Sequence, residues 1–109
     1  MILVNVRRSP DTELVAREQQ DMLATLAAFG LPLTLLFSGE GLRQLDRDLL
    51  PGENLLDMLP GFGITEIYAD TASLAQNEFC LSKSRLPCKA VSDMDLKALS
   101  QRARHAVNI

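Results

Sequence analysis

The chain has 109 residues, of which 47% are hydrophobic and 23% are charged, and its formal net charge is −3. This length suits one globular domain, which would bury roughly 65% of its unfolded surface without disulfides or metals. The negative charge argues against the positive field that drives phosphate-backbone binding, so we expect no direct nucleic-acid binding. Apolar runs are far shorter than the ~20 residues that span a bilayer, and the first arginines follow the opening apolar run. We therefore expect a cytoplasmic protein with no membrane span and no signal peptide.

Strand and helix patterns alternate along the chain. Compact apolar runs predict strands at residues 2–6, 33–37, 66–69 and 89–91, and a fifth in the tail at residues 106–109. Helical spacing predicts helices at residues 13–29, 71–79 and 93–104, with mixed helical character at 42–50 and a short helix at 54–59. The run LTLLF is apolar at consecutive positions, as expected for a strand covered on both faces. The alternation predicts an α/β domain with a mostly parallel five-stranded sheet and helices on both faces.

The segment FSGEGLRQL places a G-x-G pair after the second strand. Gly39 and Gly41 resemble the start of a dinucleotide fingerprint, but Gln44 occupies the place of the third glycine. Such a fingerprint also belongs in the first β-α turn, with an acidic residue about 20 positions later. The pattern therefore favours a tight turn built on permissive glycines over a nucleotide site.

Asp70 lies where the third predicted strand meets the following helix, in the stretch ITEIYADTASL. Ligands of open α/β sheets bind at this edge, outside the carboxyl ends of the strands. An aspartate at a helix start also accepts hydrogen bonds from free backbone N–H groups. We predict this capping role, because it explains the residue without any catalytic function.

The two cysteines, Cys80 and Cys88, lie outside any C-x-x-C pattern, so we predict reduced thiols and neither a metal site nor a cofactor. The loop between them carries Lys83 and Arg85, and cationic neighbours favour a nucleophilic thiolate. Against reactivity, Cys80 is predicted to end a helix and Cys88 to open a buried strand, where packed thiols are inert. His105 is the single histidine and is predicted to lie near the end of the last helix, which leaves no histidine pair for metal or acid/base chemistry.

The motifs in chain order resemble the DsrE/DsrF/DsrH-like family. The matching segments are P-D-T, ARE-x-x-D-x-LAT, LLFSGEGLRQL, GFGITEIYADTASL and the apolar tail AVNI, and they cover essentially the whole chain. Within the family, the pattern is most similar to the TusC/DsrF subunits. The resemblance implies one flavodoxin-like domain over residues 1–109, in a subunit of a cytoplasmic sulfur-relay complex.

The resemblance also implies partners and a site. Two paralogous small subunits would join this chain in a dimer of heterotrimers, which passes persulfide sulfur to a downstream acceptor protein for tRNA 2-thiouridine synthesis or dissimilatory sulfur oxidation. In the sulfur-carrying paralogue, the working cysteine lies where the third strand meets its helix, which corresponds here to Asp70. A carboxylate cannot carry a persulfide. We therefore expect a structural, non-enzymatic subunit whose sulfur is carried by a neighbour.

An apolar stretch before the third strand offers a candidate partner surface. Its members lie in LLDMLPGFG and are Leu55, Leu56, Met58, Leu59 and Phe62. A Leu- and Met-rich run beside a glycine-rich turn favours an exposed patch, although ordinary core packing explains it equally well. Two other functions stay open: a thiol-dependent sulfurtransferase that uses Cys80, and a homo-oligomeric small-ligand or nucleotide-binding module that uses the SGEG turn.

Overall fold

The computed structural model describes residues 1–8, 13–49 and 55–109. Within these residues, one sheet contains five strands, which are β1 (Ile2–Val6), β2 (Leu33–Phe37), β3 (Glu66–Asp70), β4 (Lys89–Val91) and β5 (His105–Asn108). The strand order is β4-β3-β2-β1-β5, and every neighbouring pair is parallel. The predicted flavodoxin-like α/β class with a five-stranded parallel sheet is confirmed.

Helices connect the strands, because parallel neighbours require crossover connections. The described α-helices are α1 (Glu13–Ala28), α2 (Thr71–Gln76) and α3 (Asp93–Arg102). Two longer 3-10 helices, Gly39–Leu45 and Leu55–Phe62, lie between β2 and β3, and a third of one turn, Leu81–Lys83, precedes β4. The strand and helix order of the sequence analysis is therefore confirmed, apart from the 3-10 geometry of the middle segments.

β2 lies at the centre of the sheet, and all five of its residues are buried. The core has two clusters of buried residues. The larger cluster covers the face of the sheet on which α1, α2 and the two longer 3-10 helices pack. This cluster includes Val4, Val6, Leu23, Leu35, Phe37, Leu42, Leu45, Leu56, Leu59 and Ile67. The opposite face carries a smaller cluster of Leu3, Leu36 and Val91, against which Leu96 of α3 packs. Helices on both faces explain why LTLLF is apolar without alternation.

Several element boundaries differ from the prediction. α1 ends at Ala28, one residue earlier than predicted. Gly30 follows it with φ of +76°, the left-handed conformation in which a glycine commonly ends a helix. α2 stops at Gln76 instead of residue 79, because Glu78 adopts a left-handed φ of +51° and turns the chain. α3 stops at Arg102 instead of residue 104, since the backbone N–H of Arg104 donates to the carbonyl of Met1 and the chain is extended there.

A capping box is present at the start of α3. The Ser92 hydroxyl accepts from the backbone N–H of Asp95 at 3.3 Å, and the Asp95 carboxylate accepts from the backbone N–H of Ser92 at 3.5 Å. The segment predicted as a helix at 54–59 is the 3-10 helix Leu55–Phe62, which continues through Pro60, where a break was predicted. Residue 54 lies outside the described residues.

Candidate functional site

The turns that follow β2 and β3 lie side by side at the carboxyl edge of the sheet. Phe37 of β2 pairs with Ala69 of β3, so the next residues, Ser38 and Asp70, begin neighbouring turns. Asp70 is the N-cap residue of α2, as predicted, and has an extended backbone. This edge is where ligands bind in open α/β sheets, so the side chains here define the candidate site.

A hydrogen-bond chain joins the two turns. The Ser73 hydroxyl donates to Oδ2 of Asp70 at 2.8 Å and accepts from the backbone N–H of Gly39 at 2.9 Å. The Asn77 side-chain amide donates to the carbonyls of Ser73 and Gly39 at 2.8 Å and 3.2 Å. Ser73 is buried, which shields these bonds from competing water. The network fixes the Asp70 carboxylate in place.

The predicted mode of capping by Asp70 is wrong. Its side chain makes no hydrogen bond with the backbone N–H groups of α2, although the residue occupies the N-cap position. Oδ2 accepts from the Ser73 hydroxyl, and Oδ1 is buried with no hydrogen-bond partner in the part of the chain that the structure describes. Ser73 lies in the first turn of α2, where its hydroxyl, which also accepts from the N–H of Gly39, donates to Oδ2 in place of a backbone N–H group.

The glycines of the SGEG turn serve backbone packing. A Cβ atom on Gly41 would lie 2.0 Å from the carbonyl oxygen of Val6, and Gly39 adopts a φ of +53°. Three backbone N–H groups of the turn also have acceptors. That of Ser38 donates to the carbonyl of Val6, that of Gly39 to the hydroxyl of Ser73, and that of Gly41 to the carbonyl of Ser38. A phosphate cradle needs such donors free and convergent. The geometry therefore favours the tight-turn interpretation.

Cys80 does not end a helix, contrary to prediction. It lies after the turn that follows α2, has an extended backbone and precedes the single-turn helix Leu81–Lys83. Its side chain is exposed, and both cysteines are free thiols. The argument that a helix C-terminus opposes a thiolate at this residue therefore does not apply.

The two cationic side chains in the loop between the cysteines both lie near carboxylates. The guanidinium of Arg85 is buried, with Nη1 3.7 Å from the Asp57 carboxylate, and Lys83 contacts Asp48 at 3.3 Å in an exposed pair. The backbone N–H of Arg85 donates to the carbonyl of Leu45, which joins the loop to the first 3-10 helix. Each of these two cations therefore lies beside a carboxylate, Arg85 in the interior and Lys83 on the surface.

Cys88 lies immediately before β4 and is partly buried. Burial raises the pKa of the Cys88 thiol to about 11, and a hydrogen bond with the backbone of Lys89 offsets this shift in part. A thiol that stays protonated near neutral pH is a poor nucleophile. The strand itself is more exposed than predicted, because Lys89 and Ala90 lie on the surface.

His105 begins β5 and does not lie at the end of α3, contrary to prediction. It is exposed and pairs in register with Ile2. Across residues 1–8, 13–49 and 55–109, no group of three or more His, Cys, Asp or Glu side chains could hold a metal ion. In the same ranges, no helix is both long and apolar enough to cross a membrane.

The proposed partner surface divides into two parts. Leu56 and Leu59 are buried in the core at 1% and 0% exposure, so the prediction that they lie on an exposed patch is wrong. Met58 and Phe62 are 53% and 41% exposed and remain candidates. The cause is the 3-10 repeat of three residues per turn, which places Leu56 and Leu59 on the same side of the helix and turns Met58 away from it. The side chain of Leu55 lies outside the described residues.

Sequence reasoning missed the polar partners of Asp70. Ser73 follows Asp70 by three residues in the first turn of a helix, which is a spacing at which side chains meet. That local signal was available. Gly39 is 34 positions distant from Ser73, and only the pairing of β2 with β3 brings it to the hydroxyl.

Comparisons with known proteins agree with this fold. No family model matches the chain. A curated relative named "Protein TusC homolog", from Pseudomonas aeruginosa, is 28% identical over 115 aligned positions, which cover 99% of this chain and 97% of the relative. The crystal structure of the ychN protein from E. coli superimposes with a TM-score of 0.72 at 14% identity, covering 99% of this chain and 97% of that one.

The fold is that of a flavodoxin-like α/β protein. Over its full length the chain is similar to a TusC homologue, in agreement with the resemblance to TusC/DsrF-like proteins that the sequence motifs indicated.

Proposed function

We propose that this chain is a partner-organising subunit of a sulfur-relay complex for tRNA 2-thiouridine synthesis and that it carries no sulfur itself. Its similarity to a TusC homologue supports the relay assignment. One observation supports the non-catalytic role: Asp70 occupies the turn that the family resemblance assigns to the sulfur-carrying cysteine, and its carboxylate is bound by Ser73. The same role in dissimilatory sulfur oxidation is the alternative pathway.

The chemistry of the relay explains why this observation matters. Persulfide sulfur moves when a thiolate attacks the outer sulfur of the donor persulfide and the donor thiolate leaves. A carboxylate oxygen cannot accept sulfur in this way and regenerate a persulfide. The backbone N–H of Gly39 donates to the Ser73 hydroxyl, and the Asn77 amide donates to the carbonyl of Gly39. These two bonds hold the β2 and β3 turns together, which gives this turn a structural role instead.

The proposal includes an assembly. The chain would form one DsrE/DsrF-like domain and join two paralogous subunits in a cytoplasmic dimer of heterotrimers, which delivers sulfur to a downstream acceptor protein. Exposed apolar side chains support such contacts: Met58 and Phe62 on the second 3-10 helix, Met22 on α1, which packs against that helix, and Phe29 directly after α1. Exposed apolar surface of this kind marks protein interaction sites.

A second candidate function is sulfur transfer through Cys80. The observation in its favour is the exposure of this thiol, outside any helix end, in an extended segment that a partner could reach. The two functions differ in one requirement. A carrier needs the Cys80 sulfur, whereas an organising subunit keeps its function with serine at that position.

The test combines assembly and transfer in one preparation. The tagged chain, Cys80→Ser and the matched control Cys88→Ser are purified from the native host, and native mass spectrometry identifies the subunits that accompany each one. Radiolabelled sulfur transfer to the acceptor is then measured. We expect equal amounts of two companions and full transfer with all three chains.

Two outcomes contradict the proposal. A chain that purifies alone or as a homo-oligomer is not an organising subunit of a mixed complex. Loss of transfer in Cys80→Ser, with transfer intact in Cys88→Ser and assembly intact in both, assigns the carrier role to Cys80.

A further inference from the structure

A polar cleft lies at the carboxyl ends of β1 and β5, away from the Asp70 turn. Its volume is about 500 Å³, within the roughly 300–1,000 Å³ of small-molecule sites. The residues that line it are Arg7, Arg8, Gln19, Asn108 and Ile109. Two of these side chains are cationic and two are amides, and among the residues that the structure describes no acidic side chain lines the cleft.

The position of the cleft follows from the strand order. Successive strands β2, β3 and β4 lie on one side of β1, whereas β5 lies on the other side. The order therefore reverses at β1, and open α/β sheets bind ligands in the crevice outside the carboxyl ends of strands at such a reversal. Arg7 and Arg8 directly follow β1, and Asn108 ends β5, so the cleft occupies this crevice.

Hydrogen bonds fix the backbone that carries both arginines. The N–H of Arg7 donates to the carbonyl of Ile109 at 3.1 Å. The carbonyl of Arg8 accepts from the side-chain amide of Gln44 at 2.9 Å, and Gln44 is only 3% exposed. A fixed backbone reduces the entropy that ligand binding would otherwise cost. The two arginines thus lie on a segment whose backbone is already ordered before a ligand binds.

In the part of the chain that the structure describes, side-chain hydrogen-bond donors of the cleft have no protein acceptor. Neither Arg7 nor Arg8 forms an ion pair or a side-chain hydrogen bond there. Oδ1 of Asn108 accepts from the Asn5 amide at 3.0 Å, which leaves its own amide N–H groups for a ligand. Gln19 also lines the cleft, and its Oε1 is buried without a hydrogen-bond partner among the described residues.

We propose that this cleft binds a phosphate ester, a site independent of the proposed relay function. Phosphate carries up to two negative charges and several acceptor oxygens, which match two guanidinium groups and two amide donors. A carboxylate offers one charge and two oxygens and would leave part of this set unsatisfied. The net charge of −3 disfavours a long polyanion, so a free small ester is favoured over RNA as the source of the phosphate.

The experiment follows binding to the full chain by ¹H–¹⁵N NMR at constant ionic strength. The probes are inorganic phosphate, ribose 5-phosphate, a short single-stranded RNA and acetate. We expect saturable shifts of the Arg7 and Arg8 guanidinium Nε–H signals with the phosphate-bearing probes. The double variant Arg7→Gln/Arg8→Gln should weaken binding by at least about tenfold, because charge-assisted contacts are lost.

A matched control separates the site from general charge. Arg102→Gln/Arg104→Gln removes two exposed arginines that lie just before β5, at the opposite edge of the sheet, and should change affinity less than about twofold, since distant exposed charges are screened. Arg7→Lys/Arg8→Lys keeps the charge but loses the planar fork, and should bind with intermediate affinity.

The results decide both the site and the source of its phosphate. Ribose 5-phosphate that binds at least as tightly as RNA indicates a free ester, whereas much tighter RNA binding indicates a polymer, and each supports the site. Three results overturn the proposal: no saturable shift with any phosphate-bearing probe, equal loss in the control double variant, or acetate binding as tight as phosphate binding.

Discussion

At the scale of single residues, Ser73 is the side chain that joins the two turns of the candidate site. Its hydroxyl accepts from the N–H of Gly39 at 2.9 Å and donates to the carboxylate of Asp70 at 2.8 Å. Ser73 is buried, so these bonds are shielded from competing water. Their loss should therefore lower the stability of the fold.

Ser73→Ala should lower the free energy of unfolding by about 1–3 kcal/mol. The substitution leaves the Gly39 N–H and Oδ2 of Asp70 without their partner, and unpaired buried polar groups are costly. Urea denaturation measures the change. Ser100→Ala, at an exposed position of α3, is the control and should stay within about 0.5 kcal/mol. Equal stability of both variants would show that the network contributes nothing.

The two thiols should differ sharply in alkylation. With a pKa of about 11, only about a thousandth of Cys88 is thiolate at pH 8, so iodoacetamide should modify exposed Cys80 at least about tenfold faster. The rate at Cys88 should rise up to pH 11, because its thiolate fraction keeps increasing. Peptide mass spectrometry of the labelled native protein measures both rates.

Denatured protein is the control for this prediction, since unfolding removes the burial that raises the Cys88 pKa and should equalise the two rates. Rapid labelling of Cys88 in the native state at pH 8 would contradict the burial that the structure assigns to it.

At the scale of elements, the first 3-10 helix depends on a close approach between backbones. Gly41 lies against the carbonyl of Val6 at the end of β1, and Gln44 of the same helix holds the carbonyl of Arg8. The SGEG turn and the 3-10 helix that it begins therefore pack closely against the carboxyl end of β1. Its glycines are required for packing, without reference to any nucleotide.

Gly41→Ala should destabilise the fold by about 2 kcal/mol or more, because its Cβ would lie 2.0 Å from the Val6 oxygen and the backbone would have to move. Gly61→Ala is the matched control, since nothing lies within 4 Å of its Cβ position and its φ is not positive. Thermal unfolding of both variants measures the difference. A Gly41→Ala protein as stable as Gly61→Ala would contradict the described packing.

At the scale of the whole molecule, the second 3-10 helix has two roles. Leu56 and Leu59 fill the core, whereas Met58 and Phe62 face solvent together with Phe29 at 79% exposure. A surface of exposed aromatic and Met side chains suits a partner interface.

Met58→Ser/Phe62→Ser should reduce recovery of partner subunits by at least about tenfold while leaving monomer stability within about 1 kcal/mol, because interface energy is concentrated in a few apolar residues. Leu59→Ala is the contrasting variant and should cost about 2–5 kcal/mol of stability through a core cavity. Co-purification with native mass spectrometry and urea denaturation give the two readouts. Unchanged partner recovery in the double serine variant would remove this surface from the proposed interface.

The sequence by itself determined the local elements and their order. The runs at Ile2–Val6 and Leu33–Phe37 matched their strands end to end, because a short apolar run bounded by turn residues specifies a buried strand locally. The Ser92–Asp95 capping box was equally local. The motifs also carried the resemblance that placed Asp70 at the carboxyl edge of the sheet.

Only the tertiary structure decided which polar groups meet. Ser73 reaches Gly39, Arg85 turns inward toward Asp57, and Leu59 enters the core while Met58 stays exposed. The cleft of Arg7, Arg8 and Asn108 arises because β5 crosses to the far side of β1, a pairing across about a hundred residues that no local pattern encodes. Periodicity fixes the conformation of a segment, whereas long-range strand pairing fixes its neighbours.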